Sequence, residues 1–233
     1  MSFVTKVGGN QTEFELIPTG NHFARCYGLV DLGTQTTNSP MYGVKHNRQI
    51  MILFETPKTC MQDGRPFGLN TKYNWSLHEK AKLRKDIESW LLTDLDDGDE
   101  FDISRLITEP CMLGVAHTVS NKNGRTYPDI KSISAMPEGV DLPLLFNESI
   151  VFSLDEYSRT VFDKLPRWVR KMISDSPEFQ KLEPGYVLEG EDQEKPVQAT
   201  PAPIEATGDV SYTELDDQAL DEDQSDMALK AAR

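Results

Sequence analysis

The sequence predicts a mainly β protein, a small barrel of five strands with one helix between the third strand and the fourth. Five segments of alternating or dense apolar residues are separated by turns rich in Gly, Pro and Asn, a pattern typical of short strands. A single segment before the fourth strand carries apolar residues at helical spacing instead. This order of elements is that of the OB-fold, a five-stranded Greek-key barrel.

Composition divides the chain into a folded part and an acidic tail. Residues 183–233 contain 14 Asp and Glu against 3 Lys and Arg, and aromatic residues nearly vanish there. Such a segment buries too little apolar surface to offset the entropy cost of ordering, so we expect disorder. The predicted divisions are an N-terminal arm at 1–20, an OB-fold barrel at 21–135, a helical C-terminal extension packed on the barrel at 136–182, and a disordered acidic tail at 183–233.

The strands are assigned from alternation and from turn residues. Gly28 interrupts the first strand and predicts a bulge or a bend of the barrel. Asn123-Gly124 predicts a tight hairpin between the last two strands. Strands are predicted at 21–33, 44–55, 69–75, 110–119 and 125–135, and short helices at 101–107, 154–162 and 167–174.

The third strand is predicted to run straight into the central helix. Ser76 and Glu79 have the spacing of a capping box, which predicts that the helix begins there. Leu83, Ile87 and Leu91 recur at helical spacing, so this face should close one end of the barrel. The basic side chains of the helix, expected to face solvent, are Lys80, Lys82, Arg84 and Lys85.

Several function classes fit the sequence poorly. The three cysteines, Cys26, Cys60 and Cys111, form no Cys-x-x-Cys pair, and there is no export signal, so we expect reduced thiols in a cytoplasmic protein. No run approaches the ~18 apolar residues that span a bilayer, so no membrane association is expected. The histidines lack zinc spacing, and no glycine loop or nucleophile motif occurs, so we expect neither an enzyme nor a metal or cofactor site.

Binding of a nucleic-acid single strand requires cations along the phosphates and flat rings on which bases stack. The OB-fold builds its ligand face from strands two and three and from the loops joining strands one–two and four–five, here 31–44 and 120–125. Cations and rings concentrate on strands one, two, three and five of this sequence. The candidate cations are Arg25, Lys45, Arg48, Lys72, Lys122, Arg125 and Lys131, and the candidate rings are Phe23, Tyr27, Tyr73, Trp75 and Tyr127.

Each of these residues also has a purely structural interpretation. An aromatic residue on a strand is more often core or rim packing than a stacking platform, and Lys and Arg on strands are usually solvated. Trp75 lies beside the apolar helix and fits the core and the ligand face equally well. The tail is either a solubilising segment, or a polyanion that competes weakly for the basic groove or presents acidic residues to partner proteins.

Several short motifs are spread over roughly residues 14–180. They are Ile17-Pro-Thr-Gly-Asn-His-Phe-Ala-Arg25, Val30-Asp-Leu-Gly33, Phe54-Glu55, Tyr73-Asn-Trp-Ser-Leu-His-Glu-Lys-Ala-Lys-Leu-Arg84, Glu88-Ser-Trp90, Phe101-Asp102 and Pro110-Cys-Met-Leu113. Together these motifs resemble a family of tailed-phage single-stranded DNA-binding proteins. The resemblance implies an OB-fold, action in the host cytoplasm, and coating of single-stranded DNA during replication or recombination, with self-association on the DNA.

The acidic tail is similar to the partner-binding tails of bacterial single-strand binders. That similarity implies replication or recombination proteins as partners. The tails of that group finish in a hydrophobic tip, whereas this sequence finishes in a basic Lys230-Ala-Ala-Arg233, so this route of recruitment is in doubt. The competing expectation is a non-enzymatic phage assembly factor or protein-interaction module on a small β-barrel.

Overall fold

The computed structural model describes residues 15–39, 43–98, 100–120 and 124–188, and it confirms a mainly β protein. The strands are β1 (Gly20–Ser39), β2 (Gly43–Cys60), β3 (Pro66–Asn74), β4 (Pro110–Val119), β5 (Thr126–Ser134) and β6 (Ile150–Phe152). The helices are α1 (Lys82–Leu91), α2 (Arg159–Lys164), α3 (Arg167–Ser174) and α4 (Pro177–Leu182), with a short 3-10 helix at Ile103–Leu106.

The strands form one six-stranded sheet in the order β3-β2-β1-β4-β5, and all four of these pairings are antiparallel. The short β6, which the sequence did not predict, pairs in parallel with β1 at Gly28–Val30. A closed barrel would require a hydrogen-bonded ladder between β3 and β5. The described residues form no such ladder, although Cα atoms of the two strands come within 8 Å of each other, so the hydrogen-bonded path is open.

β1 carries side chains into two different cores because it is covered on both faces, and a bulge changes the alternation between them. The pairing with β2 shifts register between Cys26 and Gly28, which confirms the irregularity predicted at this glycine. Ala24, Cys26 and Leu29 point into the first core, whereas Tyr27 and Val30 point into the second. A Cβ atom on residue 28 would lie 2.7 Å from Leu53 Cδ1, so the close approach of β2 also requires glycine.

The two cores lie on opposite faces of the sheet. The inner face packs against α1, and its largest buried side chains include Phe54, Leu83 and Ile87. The outer face of β1 and β2 is covered by the chain after residue 144. There, Phe162 stacks on Phe179 with ring centroids 4.8 Å apart, and both are fully buried. The second core explains why residues 136–182 fold against the sheet.

Two buried carboxylates attach this extension to the sheet. Asp31 accepts a hydrogen bond from the backbone N–H of Leu154 at 3.2 Å. Glu55, which is fully buried, accepts from the backbone N–H groups of Phe146 and Asn147 at 2.8 and 3.0 Å. Such charge-assisted bonds satisfy acids that would otherwise be costly to bury.

Several predicted boundaries change. Most of the predicted 31–44 loop is strand, because β1, predicted to end at residue 33, continues to Ser39, and β2 begins at Gly43. β2 also continues to Cys60, beyond its predicted end at residue 55. The predicted helix at 154–162 begins later, at Arg159, and α4 was not predicted. The chain remains packed beyond residue 182, since the ring of Tyr186 lies 5.3 Å from that of Phe179.

The predicted capping box is wrong. α1 begins at Lys82, its N-cap is Ala81, and no side chain caps it. The Ser76 N–H donates to Asn74 O, and the Ser76 hydroxyl accepts from His78 N–H, so this serine closes a turn instead. Arg84 also departs from the expected solvent face. It is buried and donates to Glu88, Asp97 and the carbonyl of Leu95.

Candidate nucleic-acid interface

Two of the five candidate rings belong to the cores. Tyr73 is 4% exposed, and its hydroxyl donates to Asp86 Oδ2 at 2.7 Å. Tyr27 is 8% exposed and lies in the second core at the bulge of β1. Burial raises the pKa of both hydroxyls above the ordinary value. A base cannot reach either ring. The prediction that these two residues belong to the ligand face is therefore wrong, and both are core residues.

Trp75, for which core and surface were both open, lies at the surface. It is 38% exposed at the end of β3, and its backbone N–H continues the ladder to Arg48 O at 2.8 Å. The guanidinium carbon of Arg48 lies 4.8 Å from the centroid of the Trp75 ring, a cation–π arrangement. The ring is therefore partly open for stacking, with a fixed cation beside it.

Arg48 itself is a structural cation. Its Nη2 atom donates to Asp31 Oδ2 at 2.6 Å and to Asp155 Oδ2 at 2.8 Å. The hydrogen bond to Asp31 raises the pKa of Arg48 above its ordinary value. Two carboxylates thus neutralise a guanidinium that was predicted to contact phosphates.

The remaining candidates on β2 and β3 do not share one surface. Lys45 is half-buried in the β1–β2 hairpin, opposite Thr37. Lys72 is half-buried opposite Met51, and burial lowers its pKa. Met51 belongs to the second core, so the extension covers much of the strand-two surface that the OB-fold comparison predicted as the ligand face.

A different surface remains open, the outer face of β4, β5 and the beginning of β1, here called the β4–β5 face. Cross-strand neighbours share a face of a sheet, and the register aligns Phe23 with Met112 and Tyr127 with Thr118. Phe23 and Tyr127 are both half-buried. The β4 neighbours of the two rings, Met112 and Thr118, lie six residues apart along the strand, which corresponds to about 20 Å. The described helices α2, α3 and α4 pack on β1 and β6.

Small side chains form the floor between these two rings. Gly114, Ala116 and Ser132 lie on the same face as the two aromatic rows. A Cβ atom on residue 114 would collide with Ser132 Oγ, so the absence of a side chain at Gly114 leaves this part of the surface flat. The result is a shallow surface with a ring at each end.

Cations lie along this face. Lys58 Nζ lies 5.4 Å from the centroid of the Phe23 ring. Arg25 donates to the carbonyls of Thr108 at 3.2 Å and Leu142 at 3.3 Å. Neither side chain forms an ion pair with another described residue. We call Phe23, Arg25 and Lys58 the Phe23 patch.

The far end of the face holds the other predicted cations. Arg125 is exposed just before β5, and exposed Lys131 lies 2.6 Å from Asp129, which partly neutralises it. Lys122 lies outside the described residues. The backbone N–H of Ser120 donates to Arg125 O at 2.9 Å, and Gly124 has a positive φ of +67°, whereas Asn123 of the predicted turn lies outside the described residues.

Sequence reasoning missed Lys58 because the predicted second strand ends at residue 55. The usable signal was the continuation of β2, whose half-buried and exposed residues alternate up to Cys60. Sequence reasoning also placed the ligand face on strands two and three, because the OB-fold builds its ligand face there. It predicted an extension packed on the barrel but not that this extension covers the outer face of β2.

No group of three His, Cys, Asp or Glu side chains among the described residues could hold a metal ion. The three thiols are free, as predicted, and Cys26 and Cys111 are buried. None of the helices in the described part of the chain is long and apolar enough to cross a membrane. Comparison of the sequence with protein-family models gave no match, and comparison with curated proteins gave none either.

Proposed function

We propose that the protein binds single-stranded DNA without sequence preference, with the β4–β5 face as its binding surface. We also propose that its sheet is an OB-fold barrel whose β3–β5 closure lacks a ladder. The strand order and the helix between β3 and β4 support this assignment. On this proposal, the C-terminal extension occupies the strand-two surface, and the DNA path moves to the neighbouring strands.

The observation that carries the proposal is the Phe23 patch. A half-buried ring, an ammonium group 5.4 Å from its centroid and a nearby guanidinium combine the two requirements of single-strand binding in one place. Bases stack on rings and phosphates follow cations, so the contact tolerates any sequence. Trp75 supplies a further partly open ring at the end of β3.

The biological setting is part of the same proposal. The resemblance to tailed-phage single-strand binders supports action during phage DNA replication or recombination in the host cytoplasm. Residues 189–233, which lie outside the described residues, carry most of the negative charge. On this proposal they present acidic residues to replication or recombination proteins, and neither a catalytic step nor a cofactor is involved.

The test is a titration of fluorescent oligo-dT with full-length protein at several salt concentrations. We expect the affinity to fall steeply as salt rises, because phosphate contacts release counterions, and duplex DNA should compete poorly. Lys58→Gln should reduce the log–log salt slope by about 0.7, the value for one contact to a single strand. Lys171→Gln is the matched control, since Lys171 is paired with Asp175 at 3.0 Å.

Absence of binding at low salt, both for the full chain and for residues 1–188, would reject the proposal. It would favour the alternative, a protein-interaction module on the same sheet. The truncated form is included because the acidic residues after 188 can themselves compete for the cations.

A further inference from the structure

The segment 142–147 is held across the outer face of β1 and β2, at the position where Arg25 and Glu55 are cross-strand neighbours in the backbone register. Leu142 O accepts a hydrogen bond from Arg25 Nη2 at 3.3 Å. Glu55 accepts from Phe146 N–H at 2.8 Å, from Asn147 N–H at 3.0 Å and from Asn147 Nδ2 at 2.6 Å. A fully buried carboxylate thus fixes the backbone of this segment.

The side chain of Phe146 nevertheless points away from the core. It is 57% exposed and makes no ring contact with another described residue. Exposing a large ring on a backbone that is held by three hydrogen bonds leaves apolar surface that the fold does not use. An exposed ring on a held backbone is suited to an external contact, because little backbone entropy remains to be lost on binding.

The charges around Phe146 favour an anionic partner. Arg25, which bonds to the same segment, lies two residues from Phe23 on β1, and Lys58 stands beside the Phe23 ring. Neither cation forms an ion pair among the described residues, and Glu55, the cross-strand partner of Arg25, is buried and occupied by three N–H donors. The surface therefore combines rings with uncompensated cations.

We propose that Phe146 is a base-stacking contact for single-stranded DNA, which continues the Phe23 patch onto the C-terminal extension. Phosphates pass over Arg25 and Lys58 while bases stack on Phe23 and Phe146. Glu55 acts as a positioning residue, because it holds the backbone that presents the ring. This inference rests on the proposed function and adds to it a binding residue outside the barrel strands.

The experiment measures oligo-dT affinity across a salt series for Phe146→Ala and Phe146→Leu in the full chain. Loss of one stacked base should weaken binding about 5- to 150-fold. The salt slope should stay unchanged, because no cation is removed. Val187→Ala is the matched control, since Val187 is an exposed apolar residue of the described chain at 74% exposure. It should bind like the parent protein.

The outcomes are distinguishable. If the parent binds and Phe146→Ala binds equally well, this inference is overturned, the proposed function survives, and the exposed ring is assigned to a protein partner. If Phe146→Leu binds like the parent, the contact is not stacking and the inference is again overturned. If the parent itself does not bind, the proposed function and this inference fall together. Thermal midpoints within 2–3 °C of the parent, roughly the shift from 1 kcal/mol in a chain of this size, exclude unfolding as the cause.

The positioning role has its own test. Glu55→Gln should increase hydrogen exchange at the amides of Phe146 and Asn147 and weaken binding. In the Phe146→Ala background it should add no further loss of affinity, since residues acting through one contact are not additive. Full additivity of the two losses would overturn the positioning role.

Discussion

Arg48 and Asp31 form an ion pair with 2.6 Å between Nη2 and Oδ2, and the carboxylate of Asp31 is 2% exposed. The same carboxylate accepts from the backbone N–H groups of Gly33 and Leu154. The pair therefore joins β2, β1 and the C-terminal extension at one point. A guanidinium that is committed in this way stabilises the fold and contributes little charge to a ligand.

We expect Arg48→Gln to lower the free energy of unfolding by about 3 kcal/mol, because it leaves a buried carboxylate without its counter-charge. Urea denaturation measures this loss. The slope of DNA affinity against salt should remain that of the parent, in contrast to Lys58→Gln. A fully stable variant with a reduced slope would show that Arg48 contacts phosphate after all.

Substitutions of Phe23 and Tyr73 should affect different properties: the first should weaken DNA binding, and the second should lower the stability of the fold. Phe23→Ala should weaken oligo-dT binding by about 1–3 kcal/mol, because one stacking surface is lost. Tyr73→Ala should lower the free energy of unfolding by about 3–5 kcal/mol, because it removes a buried ring. The checks are a binding titration and a denaturation curve for each variant. A stable Tyr73→Ala protein with weakened binding would contradict the buried position of this ring.

The buried thiols predict a loss of stability at alkaline pH. Burial raises the pKa of Cys26 from an ordinary 9.0 to about 12, and it raises that of Cys111 well above its ordinary value. At pH values between the ordinary thiol pKa, which applies to the unfolded chain, and the raised pKa of the folded protein, these thiols ionise only in the unfolded chain. The stability is therefore complete below pH 9 and falls as pH rises, by about 1.4 kcal/mol per pH unit for each thiol.

Denaturation curves between pH 8 and pH 11 measure this decline. The variant Cys26→Ala should show a shallower pH dependence, whereas Cys60→Ala, at an exposed position, should match the parent. Equal pH dependence of all three proteins would contradict the buried state of Cys26. In the native protein at pH 8, a thiol reagent should modify Cys60 alone.

Truncation should reveal the dependence of the sheet on the extension. A chain of residues 1–188 retains both cores, so its unfolding midpoint should match that of the full protein. A chain of residues 1–135 exposes Val30, Leu32, Met51 and Leu53, which lie in the second core. We expect this shorter chain to aggregate or to lose its cooperative unfolding transition, as measured by calorimetry. A soluble, cooperatively folding 1–135 chain would contradict this role.

The element types could be predicted because local patterns determine them. The predicted bounds 110–119 for the fourth strand agree with β4, since its apolar run is flanked by Pro110 and by the polar Ser120. The bulge was predictable as well, because a glycine interrupts a strand at Gly28. What alternation could not predict was that the outer face is covered at Tyr27, whose ring is buried in the second core, and that the bulge moves Val30 from the side of Cys26 to the side of Tyr27.

The site was less predictable, because it depends on contacts distant in sequence. Nothing near Arg48 in the sequence indicates that Asp155, 107 residues later, neutralises it. Equally, the polar residues around Glu55 did not indicate that its carboxylate would bind the backbone at residues 146 and 147. Partners of buried charges are set by tertiary packing, and single-sequence periodicity carries no information about them.

Because β1 contributes side chains to both cores, the order in which the chain is synthesised leaves one of its faces uncovered for a time. Tyr27 and Val30 leave the ribosome early, whereas Phe179, which packs in the same core, is made about 150 residues later. At translation rates of roughly 5–20 residues per second, this interval lasts about 8–30 s. During that time the outer face of an apolar strand has no cover of its own, and exposed apolar surface of this kind promotes aggregation of the nascent chain.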